Sequence, residues 1–274
     1  MKQLQNKMSN SPTKLALVNA HPRDARVTFE EGPHIYMLDG KFDRETISVT
    51  TLVHKCFPAF DADKQAERIV QDKRMNDPTY KYYGKTKEQI LKEWTQSSTL
   101  GTSLHYNIEC YYNDVEPPNP ETVEYKMFLK FVKEYPHLEA FRTEWVIYHE
   151  EIKLCGSIDM VFRNRETGLY EIYDWKRVLQ INEKAFHKND MGLLPFLQET
   201  PNSNFWHYTM QLNIYKKVLE TKYDMKISRM FLVVIHPDNI YKTYFRLEVP
   251  DIQDKIGELF DYRLEKLSKQ NETK

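Results

Sequence analysis

From Arg142 to Arg177 three strand-like segments follow one another almost without pause, and two of them carry ionised residues where a strand should be apolar. The segments are Arg142 to His149, Lys153 to Phe162 and Leu169 to Arg177, with the turn Asn164 to Gly168 joining the last two as a hairpin. Gly156-Ser157-Ile158-Asp159 falls inside the second and Asp174-Trp175-Lys176 inside the third. Along a strand, residues i and i+2 face the same way, so Asp174 and Lys176 project together and Trp175 points to the opposite face. Asp159, fifteen residues before Asp174 on the hairpin partner, is placed to come alongside it. Two carboxylates and a lysine make a poor core, because ionised carboxylates about 4 Å apart repel by several kcal/mol at intermediate dielectric. A divalent cation relieves that repulsion, and hard oxygen donors suit magnesium or manganese.

The rest of the chain builds layers around this hairpin. Upstream, Arg26 to Leu38 is strand-like before the turn Asp39-Gly40, and Ile47 to Leu52 is a strand or a helix entry. Ala62 to Met75 has helical spacing. Thr86-Lys87-Glu88-Gln89 is a capping box opening a helix through Trp94, and a further helix is expected from Thr102 to Tyr112 after Gly101. Glu121 to Tyr135 is helical again, with Val123, Met127, Phe128 and Phe131 at helical spacing and the aromatics around Phe128 and Phe131 read as core. Downstream, a loop-rich stretch from Leu179 to Asn204 leads to a long helix from about Phe205 to Leu219. Strands at Arg229 to His236 and Tyr241 to Val249 follow, and Pro250 opens a C-terminal helix. This order predicts an α/β fold, a central mixed sheet flanked by helices, with an accessory region at 25–100, a core at 101–274 and a flexible lead-in at 1–24.

Composition removes several classes. Lysine plus arginine number 39 against 40 aspartates and glutamates, a net charge of −1, so the chain is no polybasic coat, although a local basic groove remains compatible with it. No stretch approaches the roughly 20 apolar residues that span a bilayer, and Met1 to Lys14 lacks the apolar centre of a signal peptide. No membrane partner is expected; a soluble, intracellular protein is. Three cysteines, Cys56, Cys110 and Cys155, build neither a disulfide framework nor a four-cysteine iron–sulfur cluster. Gly84-Lys85-Thr86 imitates the end of a phosphate-binding loop, but Thr79 stands where its first glycine belongs, so no nucleotide cofactor is expected.

Two helices carry polar residues at helical spacing. His105 and Glu109 share a face in Gly101-Thr102-Ser103-Leu104-His105-Tyr106-Asn107-Ile108-Glu109, and Gln211 and Tyr215 share one in Gln211-Leu212-Asn213-Ile214-Tyr215. GTxxHxxIE, GxID, DWK and QLxxY, in this order, resemble the RecB-like branch of the PD-(D/E)XK nuclease superfamily, most closely the mitochondrial genome maintenance exonucleases and their viral and phage relatives. The resemblance covers roughly residues 101 to 249. It implies a restriction-endonuclease-like core and a magnesium- or manganese-dependent exonuclease acting on DNA ends, single-stranded or duplex.

Residue by residue, the resemblance makes His105, Asp159 and Asp174 metal ligands, the Trp175 carbonyl a further ligand and Lys176 the catalytic lysine. It makes Gln211 and Tyr215 the pair that orients the site and the DNA backbone. Arg177, next to the lysine, is a further candidate for the substrate. Asp174 is aspartate where many relatives carry glutamate, and the mitochondrial-type enzymes also show aspartate. A structure-selective or RNA-cutting endonuclease, or an inert nucleic-acid-binding protein on the same fold, stays open.

Other residues have a plainer reading. Glu144, in Phe141-Arg142-Thr143-Glu144, is a candidate supporting acid but reads first as an exposed strand residue. His149, His187, His207 and His236 lack metal-ligand spacing, and Cys155 reads as a small buried residue. Lys184, His187, Lys188, Phe196, Phe205, Trp206, His207 and Tyr208 interleave cations with aromatics, as a single strand requires. Trp206 is the candidate stacking residue, and a surface loop packed by its own aromatics explains the pattern equally well.

Overall fold

The computed structural model describes residues 13–272 except 31, 34 and 186–189. A short helix, α1 (Lys14–Val18), leads into β1 (Val27–Glu30), β2 (Ile35–Leu38) and β3 (Lys41–Phe42), which form a small antiparallel sheet. The second sheet has six strands: β4 (Ile47–Ser48), β5 (Leu138–His149), β6 (Leu154–Asn164), β7 (Tyr170–Lys176), β8 (Ile227–Val234) and β9 (Phe245–Glu248). Helices α2 (Val49–Lys55), α3 (Ala62–Val70), α4 (Lys87–Tyr112) and α5 (Val123–Glu134) lie between β4 and β5. Helix α6 (Asn204–Lys222) precedes β8, and α7 (Gln253–Glu272) closes the chain. The sheet is mixed: β5/β6, β6/β7 and β8/β9 are antiparallel, while β4/β6 and β7/β8 are parallel.

Helices cover both faces of this sheet. On one, Leu104 and Ile108 of α4 and Tyr125, Phe128 and Phe131 of α5 pack against Met160, Phe162, Tyr173, Trp175, Phe231 and Val233. On the other, α2, α6 and α7 bury Val49, Leu52, Met210, Ile214, Leu219, Ile256 and Leu259 over Trp145, Ile147, Ile158, Ile172 and Leu232. Trp175 and Ile172 therefore fall on opposite faces, as strand alternation requires. The expected α/β fold with a mixed sheet between helices is what the chain forms.

Three expectations change. The helices expected at 86–94 and 102–112 are one, Lys87–Tyr112, capped by the predicted Thr86/Gln89 box. Gly101 costs a helix interior only about 1 kcal/mol, which packing offsets, and no proline interrupts the run. This helix also crosses the boundary expected at residue 100. The first 24 residues are not uniformly a lead-in: 1–12 lie outside the described residues, but 13–24 pack on β5. Asp24 accepts from Arg142 Nη1 at 2.6 Å and Trp145 Nε1 at 2.8 Å, and Asn19 donates to the Phe141 carbonyl at 2.9 Å. The strand expected over Tyr241–Val249 is confined to Phe245–Glu248, because Asn239 to Lys242 is taken up by a turn with Lys242 in the left-handed region.

A fork in β6 positions the polar residues. Strand β5 runs along one edge of β6 for its whole length. The other edge is shared: β4 pairs with Leu154 and Cys155, and β7 with Met160 to Arg163. Between them, residues 156–159 face an opening at the C-terminal end of β7.

Candidate metal and acid–lysine site

Gly156 opens the fork. A Cβ there would lie 2.8 Å from Tyr215 Cε1 and 2.9 Å from Val49 Cγ2, so only glycine lets α2 and α6 close against β6. Three residues on, strand alternation slips. Ile158 and Val161 pack into the core under α6, whereas Met160 and Phe162 pack under α5. Asp159 sits at the slip, one step beyond the last paired residues of β6 and β7, Met160 and Tyr173. Its Oδ2 accepts from the Trp175 N–H at 3.0 Å, replacing the ladder bond that the diverging strands no longer make.

Opposite Asp159, on β5, stands Glu144. It lies between the pairs Thr143/Met160 and Trp145/Ile158 with φ of 42°, a left-handed conformation that costs a non-glycine residue of order 1 kcal/mol or more. Ser157 Oγ donates to its Oε2 at 3.1 Å. The bend turns the carboxylate to the fork, where Glu144 Oε1 and Asp159 Oδ2 lie 3.7 and 3.5 Å from His105 Nδ1. Ligand atoms of His105, Glu144 and Asp159 all fall within 4.8 Å of one another. The other imidazole nitrogen, Nε2, is 2.7 Å from the Trp175 carbonyl. That oxygen accepts only from a protonated Nε2, so in the neutral ring the bare nitrogen is Nδ1, the one facing both acids. The carbonyl expected to be a ligand itself thus holds the histidine in the ligating tautomer.

Asp174 and Lys176 share a face as expected, with Lys176 Nζ 2.7 Å from Asp174 Oδ2. Tyr208 of α6 closes over the lysine, its ring centroid 4.5 Å from Nζ. Gln211 Nε2 donates to the Tyr215 hydroxyl at 3.1 Å, and the buried Tyr215 packs against Gly156. Arg177 is turned away: its Nε donates to Glu124 Oε1 at 2.7 Å, and both side chains are largely buried. Trp206 is half-buried against the main core, edge-on to Phe205 at 5.2 Å, so it belongs to the packing of α6. His187 and Lys188 lie outside the described residues, while His207 meets Asn202 at 2.8 Å and stacks on Phe57.

Protonation follows from charge and burial. Burial pushes the Asp174 carboxyl up to about 6, with Lys176 pulling the other way and Asp159 adding repulsion. Asp159 is raised by burial and by Glu144, against the pull of His105. Burial would lower His105, but Asp159 and Glu144 outweigh it and bring the imidazole up to about 9. Lys176 likewise stays an ammonium: burial would lower it, and Asp174 and Asp159 overcome that. Three buried or half-buried carboxylates share one lysine and one histidine proton. Positive charge is what this cluster lacks, and oxygen donors with one imidazole suit magnesium or manganese.

Glu144 is the residue that sequence reading undervalued. Strand periodicity gave it no partner, and the signal was indirect: it stands opposite Asp159 once the strands are put in register.

No family model matches this chain, and no curated protein matches it either. Among solved structures it is similar to one described as "Crystal structure of SSO0001", at 17% identity over 82% of this chain and 77% of that one, with a TM-score of 0.34. A likeness at that level carries no argument about fold or activity. Among the described residues, no helix is long and apolar enough to cross a membrane.

Proposed function

We propose that this protein is a divalent-metal-dependent nuclease that hydrolyses phosphodiester bonds of DNA from its ends. One observation carries the reading: His105, Glu144 and Asp159 bring their ligand atoms within 4.8 Å of one another beside the buried Asp174–Lys176 pair. His105, Asp159 and Glu144 would hold magnesium or manganese, with Asp174 bordering the site. When bound, such an ion stabilises charge on a phosphoryl oxygen and lowers the pKa of water.

The chain's own residues supply the rest. The Trp175 carbonyl keeps the proton on His105 Nε2 and leaves Nδ1 to the ion. Lys176, held as an ammonium, is a hydrogen-bond donor to the attacking water or to an anionic oxygen rather than a base. Gln211 and Tyr215 fix the wall of α6 against the fork.

The choice of DNA ends as substrate comes from the sequence resemblance, and it has a direct test. Single- and double-stranded DNA and RNA, labelled at one terminus, are incubated with magnesium or manganese. Metal-dependent shortening of linear DNA, with circular DNA left intact, is the expected result. Cutting of the circle makes the protein an endonuclease, and no cleavage of any substrate in either metal overturns the reading.

A further inference from the structure

Tyr208, Gln211 and Tyr215 occupy positions i, i+3 and i+7 of α6 and so share one face of that helix. Gln211 and Tyr215 bond to each other, whereas the Tyr208 ring meets the Lys176 ammonium. We propose that Tyr208 is a positioning residue: the face of its ring holds the Lys176 ammonium at the fork, so that the lysine's place does not depend on Asp174 alone. The proposal rests on the nuclease reading and adds to it a residue that no motif singled out.

The geometry demands a second support. An ammonium carries three N–H donors on a flexible four-carbon stem. Asp174 Oδ2 lies 2.7 Å from it as an ion pair, outside hydrogen-bonding geometry, and so fixes the charge without fixing its direction. Asp174 borders the proposed cation site, so an incoming cation would draw on that carboxylate and repel the ammonium, and a lysine tethered only there would swing away. An aromatic face attracts the ammonium through its quadrupole and cannot be claimed by the ion's oxygen-preferring shell. Lys176 is also largely buried, so this attraction is only weakly screened by solvent. Two supports on different elements, β7 and α6, hold the ammonium in place at the fork.

The test uses the full chain with manganese and end-labelled DNA. Replacing Tyr208 by phenylalanine keeps the ring and should retain most of the turnover. Tyr208→Leu should lower kcat by about 30-fold, the rate equivalent of a desolvated cation–π contact, with KM unchanged. Phenylalanines carrying one, two and three ring fluorines at position 208 keep the shape while draining the quadrupole, and log kcat should fall stepwise along that series. In the resting protein, the Lys176 ε-methylene protons should show an upfield ring-current shift that disappears in Tyr208→Leu.

A flat fluorine series, a Tyr208→Phe variant as slow as Tyr208→Leu, or a defect confined to KM overturns the assignment. These point respectively to simple packing, to the hydroxyl and to substrate stacking. Unaltered Tyr208 protein that cleaves nothing while showing the ring-current shift overturns the nuclease reading instead, and the proposed role in turnover goes with it.

Discussion

Strand β5 carries two clusters built from the same parts, and only one of them suits a cation. Glu144 joins His105 and Asp159 at the fork, and five residues on, His149 joins Glu150 and Glu151 at the turn into β6. Each set brings one imidazole and two carboxylates within 4.8 Å. The second set is already neutralised. Arg23 Nη2 lies 2.7 Å from Glu150, Lys222 Nζ lies 2.6 Å from Glu151, and His149 Nδ1 lies 3.0 Å from Glu151 Oε2. Among the described residues, no lysine or arginine pairs with Glu144 or Asp159. The histidines respond in opposite directions: burial and Lys222 take His149 down to about 4, whereas Asp159 and Glu144 overcome burial and bring His105 up to about 9. Ligand spacing alone therefore does not define a metal site. Uncompensated negative charge at partly buried side chains is what sets the fork apart as the candidate.

The largest expected effect breaks the fork without touching the other cluster. Lys176→Ala should reduce cleavage by about 10²–10⁴-fold, the usual worth of a positioned proton donor or acceptor. DNA affinity by fluorescence anisotropy at fixed salt should stay close to that of the parent. The variant leaves Asp174 buried without its cation, and the carboxyl relieves this by taking a proton, so circular dichroism should report an intact fold. Near-parental turnover would remove Lys176 from the chemistry.

Next comes a comparison of the clusters by metal affinity. In manganese calorimetry, Glu144→Gln and Asp159→Asn should each weaken binding by more than the 10- to 100-fold typical of losing a group that merely supports a ligand. Glu151→Gln should leave affinity unchanged, because Lys222 already satisfies that carboxylate. Equal losses at Glu144 and Glu151 would mean that spacing, not charge balance, selects the site.

The same contrast explains what the sequence disclosed. Asp159, Asp174 and Lys176 were legible because strand periodicity is local, and charged residues inside apolar strands are rare enough to stand out. The mixed sheet and the flanking helices follow from the same periodicities. Glu144 was legible only as a candidate supporting acid, because its place at the fork depends on a left-handed bend and on pairing across to Asp159. Tyr208 lay inside an aromatic run whose members diverge in the fold, with Trp206 on the core and Tyr208 on the lysine. Arg177, chosen for standing next to Lys176, points the other way because adjacent strand residues alternate, and Glu124 of α5 holds it. The break expected at Gly101 failed because a single glycine is a weak signal against packing on both sides.

The smallest effect concerns stability and separates the clusters by the sign of a proton. His149 titrates near 4 in the folded chain and near about 6.5 when unfolded. Between those values the unfolded chain binds the proton and the folded chain does not. Stability from this group is therefore complete above about pH 6.5 and falls as pH drops toward 4. His207, lowered to about 4 by burial and then by His54, acts with the same sign. Asp174 opposes them: with its folded value raised to about 6 against about 3.9 unfolded, it stabilises at low pH and loses that contribution as pH rises through 6. The parent protein's pH dependence is thus a partial cancellation, and the informative quantity is a difference between variants. Without metal, His149→Gln should flatten the loss between pH 6.5 and 4 by about 1–2 kcal/mol after allowance for solvent screening. Asp174→Asn should steepen it. Urea unfolding midpoints at pH 7, 5.5 and 4.5, taken in a chelator, measure both. Identical curves for the parent and His149→Gln would mean that His149 is charged in the folded chain, and the contrast between the two clusters would then lose its electrostatic basis.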